Sequence, residues 1–327
     1  MNRCIRLLLL TACVVAIPLS APAPLIYRPG EGWTYEPVGG AEGQWRKLRA
    51  KDQLDMAQAA FDKKDYSLAL KAARRVTQVW PLSDYAPPAQ YLVGRCYEAK
   101  GQDEKAFKEY QKIMEKYPKF PDYDGVLQHQ FEIANLYLAG KWFRLWGYIP
   151  YPSTEKTAEM YQKIVKSGPY SDVGPKAQLQ LGRAREKQKN YPAAVKVYET
   201  AADRYHDRPQ IAAEALYREG LAYGKQAKTA EYDQSTAGSA IATFSDFMAI
   251  YPNDPRVAQT QKIIASLKGE QARGSFETAR FYEKYRKWSG ALVYYNEVLV
   301  IDPDSPYAGP ARIRIDILKK RTLLAKK

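Results

Sequence analysis

The chain has 327 residues, 46% of them hydrophobic, with 50 Lys and Arg against 36 Asp and Glu, a net charge of +14. After residue 20 no apolar run approaches the ~18 residues that a spanning helix needs, so the body reads as water-soluble. The only cysteines are Cys4, Cys13 and Cys96, which exclude a disulfide scaffold. The basic balance would suit nucleic acid, anionic lipid headgroups or an acidic protein partner. Against these stands a plain solvated surface, because basic residues recur at helical spacing among acidic ones, as in "EYQKIMEKY".

Residues 1–20 read as an export signal, and Leu10-Thr11-Ala12-Cys13 has the shape of a lipidation box. Two readings stand side by side. Cys13 is the acylated first residue of the mature chain, or the signal is cut as an ordinary one near Ala16 or Ala23. Only six residues separate Arg6 from Cys13, and "VVAIPL" continues the apolar run beyond the cysteine, which favours the ordinary cut. Residues 21–49 are rich in Pro and Gly with no sustained period and read as a linker or an extended arm.

From residue 50 the pattern changes to paired amphipathic helices, each pair closing on an aromatic or apolar residue and Pro, as in "VWP", "KYP" and "IYP". Such punctuation is the mark of a repeat. Val93-Gly94, Tyr97, Ala106, Tyr110, Ile113 and Pro118 stand at tetratricopeptide spacing. Small residues let the two helices of a unit approach closely, large ones fill the gap to the next unit, and Pro stops the second helix. The same template fits Ala57, Ala69, Val76 and Pro81 in a first unit. It fits Gly182, Ala194, Tyr198 and Ala201 in a fourth, with His206 in place of Pro. A sixth has Ala279, Tyr282, Ala291, Tyr295, Val298 and Pro303.

The third and fifth units need insertions. The third has Ala134 and Tyr137, then "GKWFRLWGYIPYPS", then Tyr161, Ile164 and Pro169. The fifth has Gly220 and Tyr223, a polar stretch, then Ala240, Phe244, Phe247 and Pro252. Between Pro255 and Trp288 the spacing predicts one long helix, with Gly269 and Gly274 as places for a break. "ARIRIDILKKRTLLAKK" reads as a capping helix with a basic outer face. The expectation is an all-α tetratricopeptide-repeat superhelical solenoid of about six helix pairs. Residues 50–206 hold units one to four, and 207–327 hold the last repeats and the cap.

Residue types for catalysis are sparse. His129 and His206 lie in different repeats, and no paired-His metal motif, phosphate-binding loop or nucleophile elbow occurs. The reading is a non-enzyme without cofactor or metal. Cys96 falls where a small apolar side chain packs between helices. The insertion 141–152 is the strongest binding candidate: Trp142, Phe143, Trp146, Tyr148 and Tyr151 interleave with Lys141 and Arg144, the composition of an interaction hot spot. The competing reading is that it folds back as a satellite core. Nucleic acid is argued against by the export signal and the lack of any long Lys/Arg run.

On Ala240, Phe244, Phe247, Tyr251-Pro252, Leu267, Ala279, Phe281-Tyr282, Trp288, Ala291 and Asp302-Pro303, the stretch 239–305 resembles the BamD family of outer-membrane assembly proteins. The resemblance implies a periplasmic scaffold, at the inner face of the outer membrane, in the machine that inserts β-barrel proteins. Its partners would be the barrel insertase, other subunits of the assembly complex and unfolded outer-membrane proteins. In that family the first repeats are associated with unfolded substrates and the last with docking the insertase. The chain departs from the family in having six units rather than five. It departs again at Tyr294, where many relatives carry an Arg implicated in docking. A periplasmic scaffold for cell-wall synthesis or another envelope complex is the alternative, and peripheral membrane association stays open.

Overall fold

The computed structural model describes residues 25–35, 45–145, 148–229 and 234–324. The export signal with Cys13, and Trp146 of the insertion, lie outside the described residues. Thirteen α-helices occur among those described, arranged as six consecutive pairs and a final helix. The first five pairs are α1 Ala50–Asp62 with α2 Tyr66–Val79, α3 Ala86–Ala99 with α4 Asp103–Lys116, α5 Tyr123–Leu138 with α6 Thr154–Ser167, α7 Gly174–Lys187 with α8 Tyr191–Arg204, and α9 Pro209–Thr229 with α10 Gln234–Ile250. The sixth is α11 Val257–Lys284 with α12 Trp288–Ile301, followed by α13 Ala308–Leu324. The fold is therefore all-α, of the tetratricopeptide-repeat class, as the spacing predicts. Helix α11 runs unbroken through Gly269 and Gly274.

Packing divides the chain into two compact units, residues 1–123 and 124–327. The repeat count places a boundary at 206, between the fourth and fifth units. Within the first unit, residues 25–35 form an antiparallel hairpin, β1 Leu25–Arg28 with β2 Gly32–Tyr35. The Pro- and Gly-rich composition predicts a linker or extended arm here, and the stretch pairs with itself instead. Gly30 and Gly32 take the positive φ that the "RPGEG" turn requires. The turn is held by Ser83 Oγ and the Asp84 amide donating to the Gly30 carbonyl, at 3.0 and 2.8 Å. Buried Glu31 accepts from the Lys51 amide in the first turn of α1, where a carboxylate complements the helix dipole.

Four of the pairs close through the same local chemistry. The turns inside four pairs put Lys64, Gly101, Lys189 and Arg286 at positive φ. In each, the next amide reaches back to the helix, as Asn190 does to the Arg185 carbonyl at 3.0 Å. Asp65 and Asn190 cap the following helices at the amides of Leu68 and Ala193. Second helices end at Trp80, Tyr117, Gly168, Tyr251 and Asp302, each before a proline. In the fourth pair the helix ends at Tyr205, and His206 Nδ1 donates to the Asp203 carbonyl at 2.8 Å.

Where the helices of a pair cross, the small residue has no room to grow. A β-carbon on Gly94 would lie 2.3 Å from the Tyr110 ring, one on Gly182 2.2 Å from Tyr198, and one on Gly220 2.7 Å from Phe244. Ala106, Ala194, Ala240, Ala279 and Ala291 are fully buried, as are Tyr97 nearly and Tyr295 wholly, while Tyr223 packs half-buried against its neighbours. Three of the large residues carry a second tie. The hydroxyls of Tyr110, Tyr198 and Tyr295 donate to Glu98, Glu186 and Glu283 at 2.6, 2.6 and 2.9 Å. Each carboxylate stands twelve residues before its tyrosine, so the seam has both a steric and a polar lock.

Candidate functional site

The insertion 141–152 contains a short hairpin, β3 Phe143–Leu145 with β4 Ile149–Tyr151. It divides the aromatic cluster in two. Phe143 is 1% exposed and stacks on Tyr137 at 4.1 Å between ring centres. Tyr151 packs beside it, and Lys156 lies over both rings while donating to the Tyr151 hydroxyl. Trp142, Arg144, Tyr148 and Ile149 point outward, with Tyr148 88% exposed. Alternation in β3 puts Arg144 on the face opposite Phe143, because successive side chains of a strand face opposite sides, whereas Ile149 shares the face of Tyr151 and is exposed nearer the turn.

A second site lies in the last three helices, where α11, α12 and α13 enclose an open cavity of about 1100 Å³. On its wall Phe281 projects from the end of α11; Tyr285, which does not line the cavity, lies beside it with ring centres 4.7 Å apart, and both are more than half exposed. Ile313 faces it from α13 and is 63% exposed. Around these apolar groups stand Arg280, Lys284, Arg286, Arg314 and Arg321, against only Glu277 and Glu283. Arg314 is bound to Glu283, and Arg280 approaches Glu277 at 3.4 Å, so the surplus is carried by Lys284, Arg286 and Arg321. The lining contains no histidine or cysteine. An apolar floor with a cationic rim suits an acidic, partly apolar protein surface rather than a metal ion.

Helix α13 departs from a plain cap. Ala311, Ile315 and Leu318 are buried against the preceding pair, but Ile313 and Ile317 are exposed one turn apart. A terminal helix that only ended the array would present a polar outer face. The basic outer face expected from the sequence is thus interrupted by two isoleucines, because apolar residues recur here on two sides of the helix.

Tyr294, expected at the docking position, is half-buried and stacks on Tyr282 with ring centres 5.3 Å apart. It supports the packing of α11 on α12 and does not line the cavity. Cys96 is fully buried, and burial pushes its thiol up to about 11, which leaves it protonated and inert. The cavity residues Ile313 and Arg286, and Tyr285 beside the cavity, were not singled out by the sequence. Their signal was present in "ARFYEKYRKW", where Phe281 and Tyr285 share a face offset from Ala279 and Tyr282.

With this geometry in place, the class of the protein follows from two matches. Residues 88–119, spanning α3 and α4, match the model of the tetratricopeptide repeat. Similar solved structures include tetratricopeptide-repeat proteins. The C-terminal part of one from Cytophaga hutchinsonii is 16% identical, with 80% of this chain and 87% of that chain covered and a TM-score of 0.35. One from Parabacteroides merdae is 12% identical, with 83% and 98% covered and a TM-score of 0.32. The type IV pilus biogenesis factor PilW is 14% identical, with 81% and 99% covered and a TM-score of 0.27. No curated protein matches. Residues 152–327, more than half of the chain, match the family model YfiO, described as outer membrane lipoprotein, and the chain belongs to that family.

Proposed function

We propose that the chain is a non-catalytic scaffold of the outer-membrane β-barrel assembly machinery, acting on the periplasmic side. Its C-terminal cavity docks a soluble, acidic domain of a barrel-inserting partner. The observation that carries this reading is the exposed Phe281 and Ile313, with Tyr285 beside them, within a rim of Lys284, Arg286 and Arg321 that meet no carboxylate among the described residues. Apolar anchors surrounded by cations are the arrangement in which a few residues supply most of the binding energy and the charges steer the approach. Family membership supports the envelope setting, and the repeat class supports binding rather than chemistry. The exposed Trp142, Arg144 and Tyr148 offer a second, smaller contact on the same terms.

Affinity purification of the full chain from solubilised envelope membranes tests the reading. An integral outer-membrane β-barrel protein should be retained, and retention should fall about tenfold or more for the Phe281→Ala, Ile313→Ala double variant. Recovery of peptidoglycan-synthesising enzymes without any barrel protein would contradict it.

A further inference from the structure

The first unit holds a cavity of a different kind. It measures about 380 Å³ and is walled by α2 and by the segment that precedes α1. That segment is fixed by Gln53, fully buried, whose amide group donates to the Trp45 carbonyl at 3.1 Å and accepts from the Lys47 amide at 2.9 Å. The lining includes Trp45, Arg46, Lys71, Arg74, Arg75 and Gln78, and no carboxylate.

None of these four cations ends on a carboxylate among the described residues. Lys71 Nζ sits 4.2 Å from the centre of the Trp45 ring, and the Arg46 guanidinium lies 5.2 Å from the same centre. Arg74 donates to the Tyr97 hydroxyl. Arg75 lies 5.5 Å from the Trp80 ring centre, and its Nε is buried without a hydrogen-bond partner. Helix α2 contributes three of the cations and carries no acidic residue at all. Like charges held this close repel one another, and a buried guanidinium N–H without an acceptor leaves its desolvation cost unreturned. An anion in the cavity would relieve both costs.

We propose that this cavity binds a phosphate group carried by a small anionic headgroup. Arginine forks match phosphate oxygens in pairs, and the lysine adds a point charge. The volume is near the lower end for small-ligand sites and far too small for a folded partner. The favoured source is a phospholipid headgroup. Val79 on the rim, and Leu82 three residues further on, are exposed, which suits a phosphate still joined to acyl chains. Trp45 between basic side chains is the composition of a membrane interface. The site is separate from the docking cavity of the second unit and stands whether or not that cavity takes a barrel-inserting partner.

The full chain is sedimented with vesicles of phosphatidylglycerol in phosphatidylcholine, and with vesicles of phosphatidylcholine alone. Binding of glycerol phosphate and inorganic phosphate is measured by calorimetry. The variant is Lys71→Gln with Arg75→Gln. A control of equal charge removes Lys262 and Lys268 of α11 by the same substitution. Circular dichroism and thermal melting establish that both fold, and Arg46→Gln, outside any helix, serves if the α2 variant does not. Expected is binding to the phosphatidylglycerol vesicles that falls about tenfold in the α2 variant, is unchanged in the control and is competed by glycerol phosphate. Binding of the soluble phosphates without vesicle binding supports the phosphate site and assigns it a soluble ligand. The proposal is overturned if no phosphate probe binds, if both variants lose binding equally, or if a poly-glutamate peptide binds as tightly as the phosphates.

Discussion

The ion-paired basic side chains of the second unit, unlike Lys284, Arg286 and Arg321 at its cavity, and those on α2 of the first have opposite surroundings. In the second unit Glu214 gathers Arg183, Arg218 and Arg256, Asp254 shares Arg256, Glu186 takes Lys225 and Glu283 takes Arg314. Two of those carboxylates, Glu186 and Glu283, also hold the tyrosines that lock their helix pairs. On α2 the cations end on aromatic rings, a hydroxyl and solvent. The same net charge is thus structural in one place and available for a ligand in the other. Coulomb attraction that is already answered inside the fold cannot recruit a partner.

The largest expected effect comes from breaking the answered kind. Glu186→Ala leaves the buried Tyr198 hydroxyl and Lys225 without their acceptor and should cost about 2–3 kcal/mol in chemical denaturation. Tyr198→Phe together with Glu186→Ala should cost less than the sum of the single changes.

Among the described residues the second unit also contains a carboxylate with no cation. Glu219 of α9 is buried, and burial first, then Glu199, Asp203 and Asp246, push its carboxyl up to about 7, with a Thr243 hydrogen bond acting the other way. The folded state therefore holds this proton more tightly than the unfolded chain. Its stabilising contribution is complete below the ordinary carboxylate range and is lost as pH rises through about 7. Melting temperature should fall as pH rises from 4.5 to about 7, and Glu219→Gln should flatten that part of the profile. An unchanged slope in the variant would remove Glu219 as the cause.

Smallest are the turns. Lys64 and Lys189 occupy left-handed backbone at φ of 63° and 57°, where glycine is at ease. Lys64→Gly or Lys189→Gly should each raise stability by about 0.5–1 kcal/mol, readable as a shift in denaturation midpoint. The two lysines sit in different units but in equivalent turns, so equal gains would show that the difference between the units lies in side-chain pairing and not in the backbone.

Much of this fold was legible because the repeat writes its sterics in residue size. Glycine at 94 and 182 and tyrosine at 110 and 198 leave one way for each pair to close, and the prolines mark where second helices end. The twelve-residue interval from Glu98 to Tyr110, Glu186 to Tyr198 and Glu283 to Tyr295 was equally present, but a spacing template built on size does not look for a hydrogen bond. The hairpin at 25–35 was missed because its strands are four residues each, too short for alternation to register. The phosphate cavity was missed for another reason. Basic residues were read as solvated among acidic neighbours, true of α4 with its "EYQKIMEK" but not of "KAARRV" in α2. The docking cavity depends on how α11 and α13 meet, and no interval along the chain reports that.

The central claim, that the cavity formed by α11, α12 and α13 is the docking surface, is tested most directly by photo-crosslinking in intact envelopes with a crosslinkable amino acid in place of Phe281 and, separately, of solvent-facing Ile250 on α10. The account predicts an adduct from position 281 to an integral outer-membrane β-barrel protein and none from position 250. Adducts of equal yield from both positions, or no barrel protein among those from 281, would contradict it.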